Sequence, residues 1–321
     1  MQAILSVTIP FFALILAGYM AARQHVLPES AIPGLNAFVL YFALPCLLFR
    51  FGMNTPVFEL LNPAMLLVYL AAALLIVFFT VTTSLSERVG LKDASFGALV
   101  AAFPNTGFMG VPLLVALLGP AAAGPVISTI LADLFVTSGL CIALSQLHSS
   151  AAHGARTAAL RALRGALANP LPWAIALGAA FSVADVKLSG PVDVVVRMLA
   201  DAASPVALFT IGAVLWRAGQ HAHTRTPLAD YLPIALIKLI LHPLLVLLLA
   251  GAAQQLGAPL TNFQIMVLTL AAALPSASNV SLLAERYGAD NGRVARIILS
   301  STVLAFVSFS LLAWAFGARP V

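Results

Sequence analysis

Apolar stretches close to 20 residues long recur from one end of this chain to the other. An α-helix rises about 1.5 Å per residue, so roughly 20 residues cross a hydrocarbon core about 30 Å thick. A bilayer offers no water to satisfy backbone amides, so a spanning segment must be a helix or part of a closed barrel. Barrel strands alternate apolar and polar residues over about 10 positions, and that alternation is absent. Charged residues make up 8% of the 321 residues and hydrophobic ones 61%, where a soluble domain carries about 25% charged residues. The chain therefore reads as an all-α integral membrane protein.

Ten spans fit the pattern, near 3–22, 33–52, 62–84, 94–118, 121–146, 168–184, 195–215, 231–253, 262–287 and 294–316. The N-terminal segment "MQAILSVTIPFFALILAGYMAARQ" lacks a basic leader and is long for a signal peptide, so it reads as the first span. The longest polar connection, "HSSAAHGARTAALRALRG", falls near the midpoint. It divides the chain into a first half (1–148), a basic linker (149–166) and a second half (167–321). Arg23, Arg88, Lys92, Arg156, Arg161, Arg164, Arg217, Arg225, Arg286, Arg293 and Arg296 fall in odd-numbered loops. Only Arg50, Lys187, Arg197 and Arg319 fall on the other side. The positive-inside rule makes the odd loops cytoplasmic and both termini extracytoplasmic. This bias accounts for the net charge of +5 without a nucleic-acid partner.

Five spans per half is an odd number, so a second half of the same order enters the membrane inverted. That is the repeat geometry of many secondary transporters. "AAFPN" (Ala101–Asn105) and "AALPS" (Ala272–Ser276) each lie in the fourth span of their half, and each span runs on to a glycine, Gly119 or Gly288. Pro45 and Pro205 are expected to interrupt spans 2 and 7 in the same matched way.

Pro104, Gly107, Gly110 and Pro112 should break span 4, since proline removes a donor and clashes with the preceding turn and glycine lowers helix propensity. Span 9 has only Pro275, followed by "SASN" (Ser276–Asn279), and is expected to be the weaker but more polar break. Freed backbone groups are tolerated in a membrane only inside protein or beside a water-filled cavity. Two such helices crossing near the midplane would each present a half-helix N-terminus, which favours anions. Asn105, Thr106, Ser276, Ser278 and Asn279 would add side-chain groups. The competing reading is that the prolines and glycines serve only kinks and close packing.

The stretch "FPNTGFMGVPLL" (Phe103–Leu114) resembles the fourth-span motif of the auxin efflux carrier family. "LNAFVLYFALPCLLF" (Leu35–Phe49) and "IKLILHPLL" (Ile237–Leu245) resemble its second and eighth spans more loosely. The resemblance implies ten helices in two inverted five-helix repeats, with broken helices 4 and 9 crossing, as in bile-acid transporters and sodium–proton antiporters. It implies a scaffold domain, a transport domain, elevator-like movement and organic-anion substrates. Pro104 and Asn105 match the pair that contacts the substrate carboxylate, and Pro275 matches the crossing proline of span 9. Asn279 is assigned the ninth-span contact as the amide available there. The chain lacks the long central hydrophilic loop of large plant members and resembles the compact bacterial malonate-type carriers. The expected function is secondary transport of malonate or a related carboxylate in the bacterial inner membrane. A homodimer through the scaffold is the expectation from related folds. The alternatives are a channel or sensor on the same fold, or a carrier for an auxin-like aromatic acid.

Two charges lie inside spans: Asp133 in span 5, and Lys238 in span 8 four residues before His242. Intramembrane charges are costly and usually face a cavity or one another. Asp133, Lys238 and His242 are candidates for proton or cation coupling, or for setting the cavity's charge. Against this stand a snorkelling Lys238 and a packing role for Asp133. Tyr41 and Phe108 are candidates to line the substrate path. GxSxG, HExxH and a phosphate-binding GxxxxGK[ST] loop are absent, so neither enzymatic catalysis nor ATP hydrolysis is expected. No spacing of His and Cys implies a metal or cofactor. Cys46 and Cys141 read as buried free thiols, and the histidines of "HAH" (His221–His223) as solvated loop residues.

Overall fold

A computed structural model describes residues 1–56, 62–147, 164, 167–220 and 226–318. Among the described residues, seven helices are long and apolar enough to cross a membrane: α1 (Gln2–Arg23), α2 (Glu29–Asn54), α3 (Pro63–Ser84), α6 (Pro120–Ser145), α8 (Gly190–Gln220), α9 (Leu228–Gln255) and α12 (Asn291–Ala315). Between them lie shorter helices: α4 (Leu91–Ala102), α5 (Thr106–Leu118), α7 (Pro170–Val183), α10 (Asn262–Ala272) and α11 (Val280–Tyr287). The protein is a multi-pass, all-α membrane protein. The basic linker with Arg156 and Arg161, the histidines His221 and His223, Arg225 and Arg319 lie outside the described residues.

Local chemistry starts several helices. Asn62 accepts from the amides of Ala64 and Met65 at the start of α3. Thr261 and Gln264 form a reciprocal capping box on α10, which satisfies two amides that would otherwise be orphaned. Asp290 accepts from Arg293 N at the start of α12. Gly119 (φ 85°) and Gly288 (φ 66°) end α5 and α11 in backbone conformations that a side chain would strain.

Proline has two different effects. Pro45, Pro112 and Pro243 each sit two residues after a widened π-turn, at 39–43, 106–110 and 237–241. The pyrrolidine ring pushes away the carbonyl four residues earlier. Those carbonyls, on Tyr41, Phe108 and Leu239, all lie within the widened turns. Pro112 therefore does not add a second break to span 4; the helix resumes through it. Pro205 departs further from expectation: α8 runs uninterrupted from Gly190 to Gln220. One missing bond is tolerated there because α8 packs along α1 and α2.

Two sets of helices pack among themselves. In one, α1 lies on α8 and α2 lies on α7. Both contacts are made at glycines. Ideal Cβ atoms at Gly18 and Gly212 would each meet backbone oxygen at 1.9 Å, on Phe209 and Ile15 respectively. At the second contact, Gly52 faces Ile175 O and Gly178 faces Phe49 O. The other set joins α3, α4, α6, α9, α10, α11 and α12. The core runs through both, centred on the buried residues of α4 and α5.

Candidate functional site

The two broken helices meet at their breaks. Residues 103–105 leave helical geometry between α4 and α5, and residues 273–279 do so between α10 and α11. Pro104 pairs antiparallel with Ser276. Asn105 N donates to Pro275 O at 2.8 Å, and Ala277 N donates to Phe103 O at 3.0 Å. Each break thus satisfies part of the other's freed backbone, which is what burial in a membrane protein demands. The break in span 9 is the longer one, contrary to the expectation that a single proline would break the helix less. The polar run explains this. The carbonyl of Ser278 accepts from the Ser281 hydroxyl, and that of Ala277 from Val280 N, so irregular backbone there is held by turn and side-chain bonds. Gly110 lets the segments approach: a Cβ there would meet Leu274 Cδ1 at 2.7 Å.

What the crossing leaves unpaired defines its chemistry. Among the described residues, the amides of Gly107, Phe108, Ser278 and Asn279 have no hydrogen-bond acceptor. Asn105 is 3% exposed and its side-chain amide has no partner. The Thr106 hydroxyl is buried and unpartnered. Pro104, Asn105, Thr106, Gly107, Ala277 and Asn279 line one recess, which α6 and α7 also wall. Phe103, Phe108 and Asn279 also line a larger cavity of about 780 Å³. Tyr41 lines it too, together with Arg164 and Arg286. Its volume falls within the range that holds small molecules. Arg286, which reads from sequence as an ordinary solvated charge, is thus part of the cavity wall.

The predicted residues separate by what their side chains already do. Pro104, Asn105, Thr106 and Asn279 border the recess. Pro275 holds the crossing through its carbonyl. Ser276 is fully buried and spent: its hydroxyl donates to Val100 O at 2.7 Å and accepts from Ser301 Oγ at 3.2 Å, while its amide donates to the same Ser301 oxygen. It ties the end of α4 to α12 and has no donor left for a ligand. Ser278 is 5% exposed, and neither cavity includes it. Sequence reasoning missed Asn169, Asn36 and Ser138 in the cavity wall. Only the polarity of an amide beside a helix-starting proline signals Asn169.

Asp133, Lys238 and His242 gather behind the crossing, and all three are fully buried. Tyr69 Oη donates to Asp133 Oδ2 at 2.8 Å, and Thr137 Oγ1 donates to Oδ1 at 3.0 Å. Lys238 Nζ lies 3.2 Å from His242 Nδ1 and donates to the carbonyl of Ala272. That carbonyl ends α10, where the helix dipole favours a cation. Lys238 therefore points inward rather than snorkelling towards a headgroup. Asp133 and Lys238 make no contact ion pair; the Tyr69 ring, 5.8 Å from that of His242, lies between the two charge systems. Tyr69 carried no sequence signal, because a tyrosine in an apolar span reads as packing.

A family model described as membrane transport protein matches residues 3–313. The chain belongs to that family. It is the auxin efflux carrier family that the fourth-span motif resembles. Among curated members, the chain is 29% identical over 307 residues to the "Putative malonate transporter" of Rhizobium meliloti (strain 1021), covering 95% of this chain and 93% of that one. It is 30% identical over 318 residues to the "Uncharacterized transporter YfdV" of Escherichia coli (strain K12), covering 98% and 97%. An "Uncharacterized transporter" of Methanothermobacter thermautotrophicus is 25% identical over 300 residues, 93% of each chain. These names describe membrane transporters rather than enzymes, and they match this family member over nearly its whole length.

Proposed function

We propose that this chain is a secondary active carrier of small organic carboxylate anions, malonate or a related mono- or dicarboxylate. The observation that carries the reading is the crossing itself: among the described residues, the backbone amides of Gly107, Phe108 and Asn279 and the buried Asn105 side chain have no partner, and all four residues line the recess. Preorganised donors at helix N-termini favour an anion without a full positive charge, and the similarity to a relative named for malonate agrees with this. Asn105, Thr106 and Asn279 are the side chains that reach the anion. Pro104, Pro275, Ser276 and Ser278 shape and brace the crossing.

In this reading the chain has ten spans in two inverted repeats, residues 1–148 and 167–321, joined by a linker at 149–166. The glycine contacts support it. An inversion that exchanges span 1 with span 6 and span 2 with span 7 maps the α1–α8 contact onto the α7–α2 contact, and both are glycine-packed. Helices α1, α2, α7 and α8 form the scaffold, and the remaining helices move against it as an elevator. By the charge rule the cavity holding Arg164 and Arg286 opens to the cytoplasm, with both termini outside an inner membrane. Asp133, Lys238 and His242 act from behind the crossing: Lys238 neutralises the end of α10, and Asp133 is the group that exchanges a coupling proton.

The test is uptake of radiolabelled acids by the purified protein in liposomes under imposed proton and substrate gradients. Saturable flux of malonate or a close relative supports the reading. Flux of an aromatic acetate instead would move the substrate class, and currents of channel size would replace the carrier with a pore. No movement of any organic acid under any gradient would remove it.

A further inference from the structure

We infer that Asn169 is a substrate-binding residue, the scaffold's own hydrogen-bond donor to the anion held at the crossing. This rests on the crossover reading above and adds a contact from a helix outside the crossing. Asn169 precedes α7, and its side-chain oxygen accepts from Leu171 N at 3.0 Å. An N–H must face an oxygen, so this cap fixes which way the amide points. The oxygen is committed to the helix, and the NH2 group is left as the outward end. That NH2 has no partner among the described residues. Asn169 also lines both the recess beside Asn105 and the larger cavity. The Trp173 indole N–H donates to Leu167 O at 2.7 Å, which pins the turn that carries Asn169.

The consequence is a donor of fixed polarity. A free asparagine can rotate to offer either end, and so accept a hydroxyl or a protonated acid. A capping asparagine turns its oxygen to the helix and its NH2 away from it, which suits an ionised carboxylate. It sits on α7, which packs with α2, whereas the crossing is built from α4, α5, α10 and α11. An anion bonded to both sides bridges the two sets of helices. Its far oxygens meet Asn169 while its near ones meet the crossing, so an acid with carboxylates at both ends is held better than one with a methyl at the far end.

The structural role and the binding role separate in Asn169→Asp. Aspartate caps a helix as well as asparagine, so the unliganded melting temperature should stay near that of the parent. The NH2 becomes a carboxylate oxygen facing the anion, so malonate binding, read as thermal stabilisation across a titration, should weaken at least tenfold. Asn169→Ser keeps a cap and replaces the outward NH2 with a shorter hydroxyl held against the helix end, too short to reach an anion that the amide reaches; it should also weaken malonate binding while leaving propionate binding little changed. Asn105→Ala is run alongside. If Asn105→Ala abolishes the malonate response and both Asn169 variants bind malonate like the parent, the Asn169 inference is overturned and the crossover reading stands. If Asn105→Ala also binds like the parent, the crossover reading itself fails. Should Asn169→Asp prove unstable, Asn169→Ser decides alone: parental malonate affinity overturns the inference, and weakened affinity in a stable protein supports it.

Discussion

Replacing Asn105 with alanine should separate binding from folding. The side chain is nearly inaccessible, yet its amide bonds to nothing among the described residues. The bonds that hold the crossing come from the backbone of residue 105, which alanine keeps. The unliganded protein should therefore melt close to its parent temperature. A hydrogen bond to a charged group contributes about 1.5–3 kcal/mol, so losing the bond to a carboxylate weakens affinity roughly 10- to 150-fold. At a malonate concentration 100 times the parental Kd, the ligand stabilises the parent by about 2.7 kcal/mol. After a 100-fold loss of affinity the same concentration only equals Kd, and stabilisation falls to about 0.4 kcal/mol. The assay is thermal unfolding in detergent across a malonate series, with liposome uptake in parallel. A variant that melts like the parent and keeps the full malonate shift would refute the assignment of Asn105. A variant that unfolds without ligand would refute the claim that its amide is idle in the fold.

Ser276→Ala should behave in the opposite way: it leaves Val100 O without its hydroxyl donor, at a cost of about 1–3 kcal/mol in stability, and malonate should still produce a full shift in the folded fraction. Gly212→Ala should lower the melting temperature sharply, because its Cβ would strike Ile15 O, whereas Gly219→Ala on the same helix meets nothing within 4 Å and should be neutral or slightly stabilising; equal effects would show that α1 and α8 do not pack this closely. Lys238→Met removes a buried amine and the donor to Ala272 O, and Asp133→Asn removes the nearby buried carboxyl that accepts from Tyr69 and Thr137. Each alone should destabilise, and the double variant should lose less than the sum; strict additivity in thermal unfolding would show that the two groups act independently.

Some of this protein was fixed by local physics and so was readable in the chain. Apolar length and the shortage of charge demand membrane helices whatever their arrangement. Pro104 and Pro275 have no amide to give, which made them candidate break points, and Gly119 and Gly288 marked where the second halves stop. Asn105 could be chosen because an amide beside a broken backbone is costly in lipid unless it is used. Tertiary structure decided the rest, because hydrogen-bond partners belong to pairs of residues and not to single ones. Ser276 looked as available as Asn105 until Val100 and Ser301, far away in sequence, were seen to consume its hydroxyl. Pro205 looked like Pro45 until packing along α1 and α2 carried α8 through it. The backs of Asp133 and Lys238 gave no hint of Tyr69 between them. Asn169 became visible only when folding placed a helix cap in the same cavity wall as the crossing. Sequence determined which groups lack a local partner; the fold alone determined which of them find one at a distance, and the few that do not are where a ligand has something to bind.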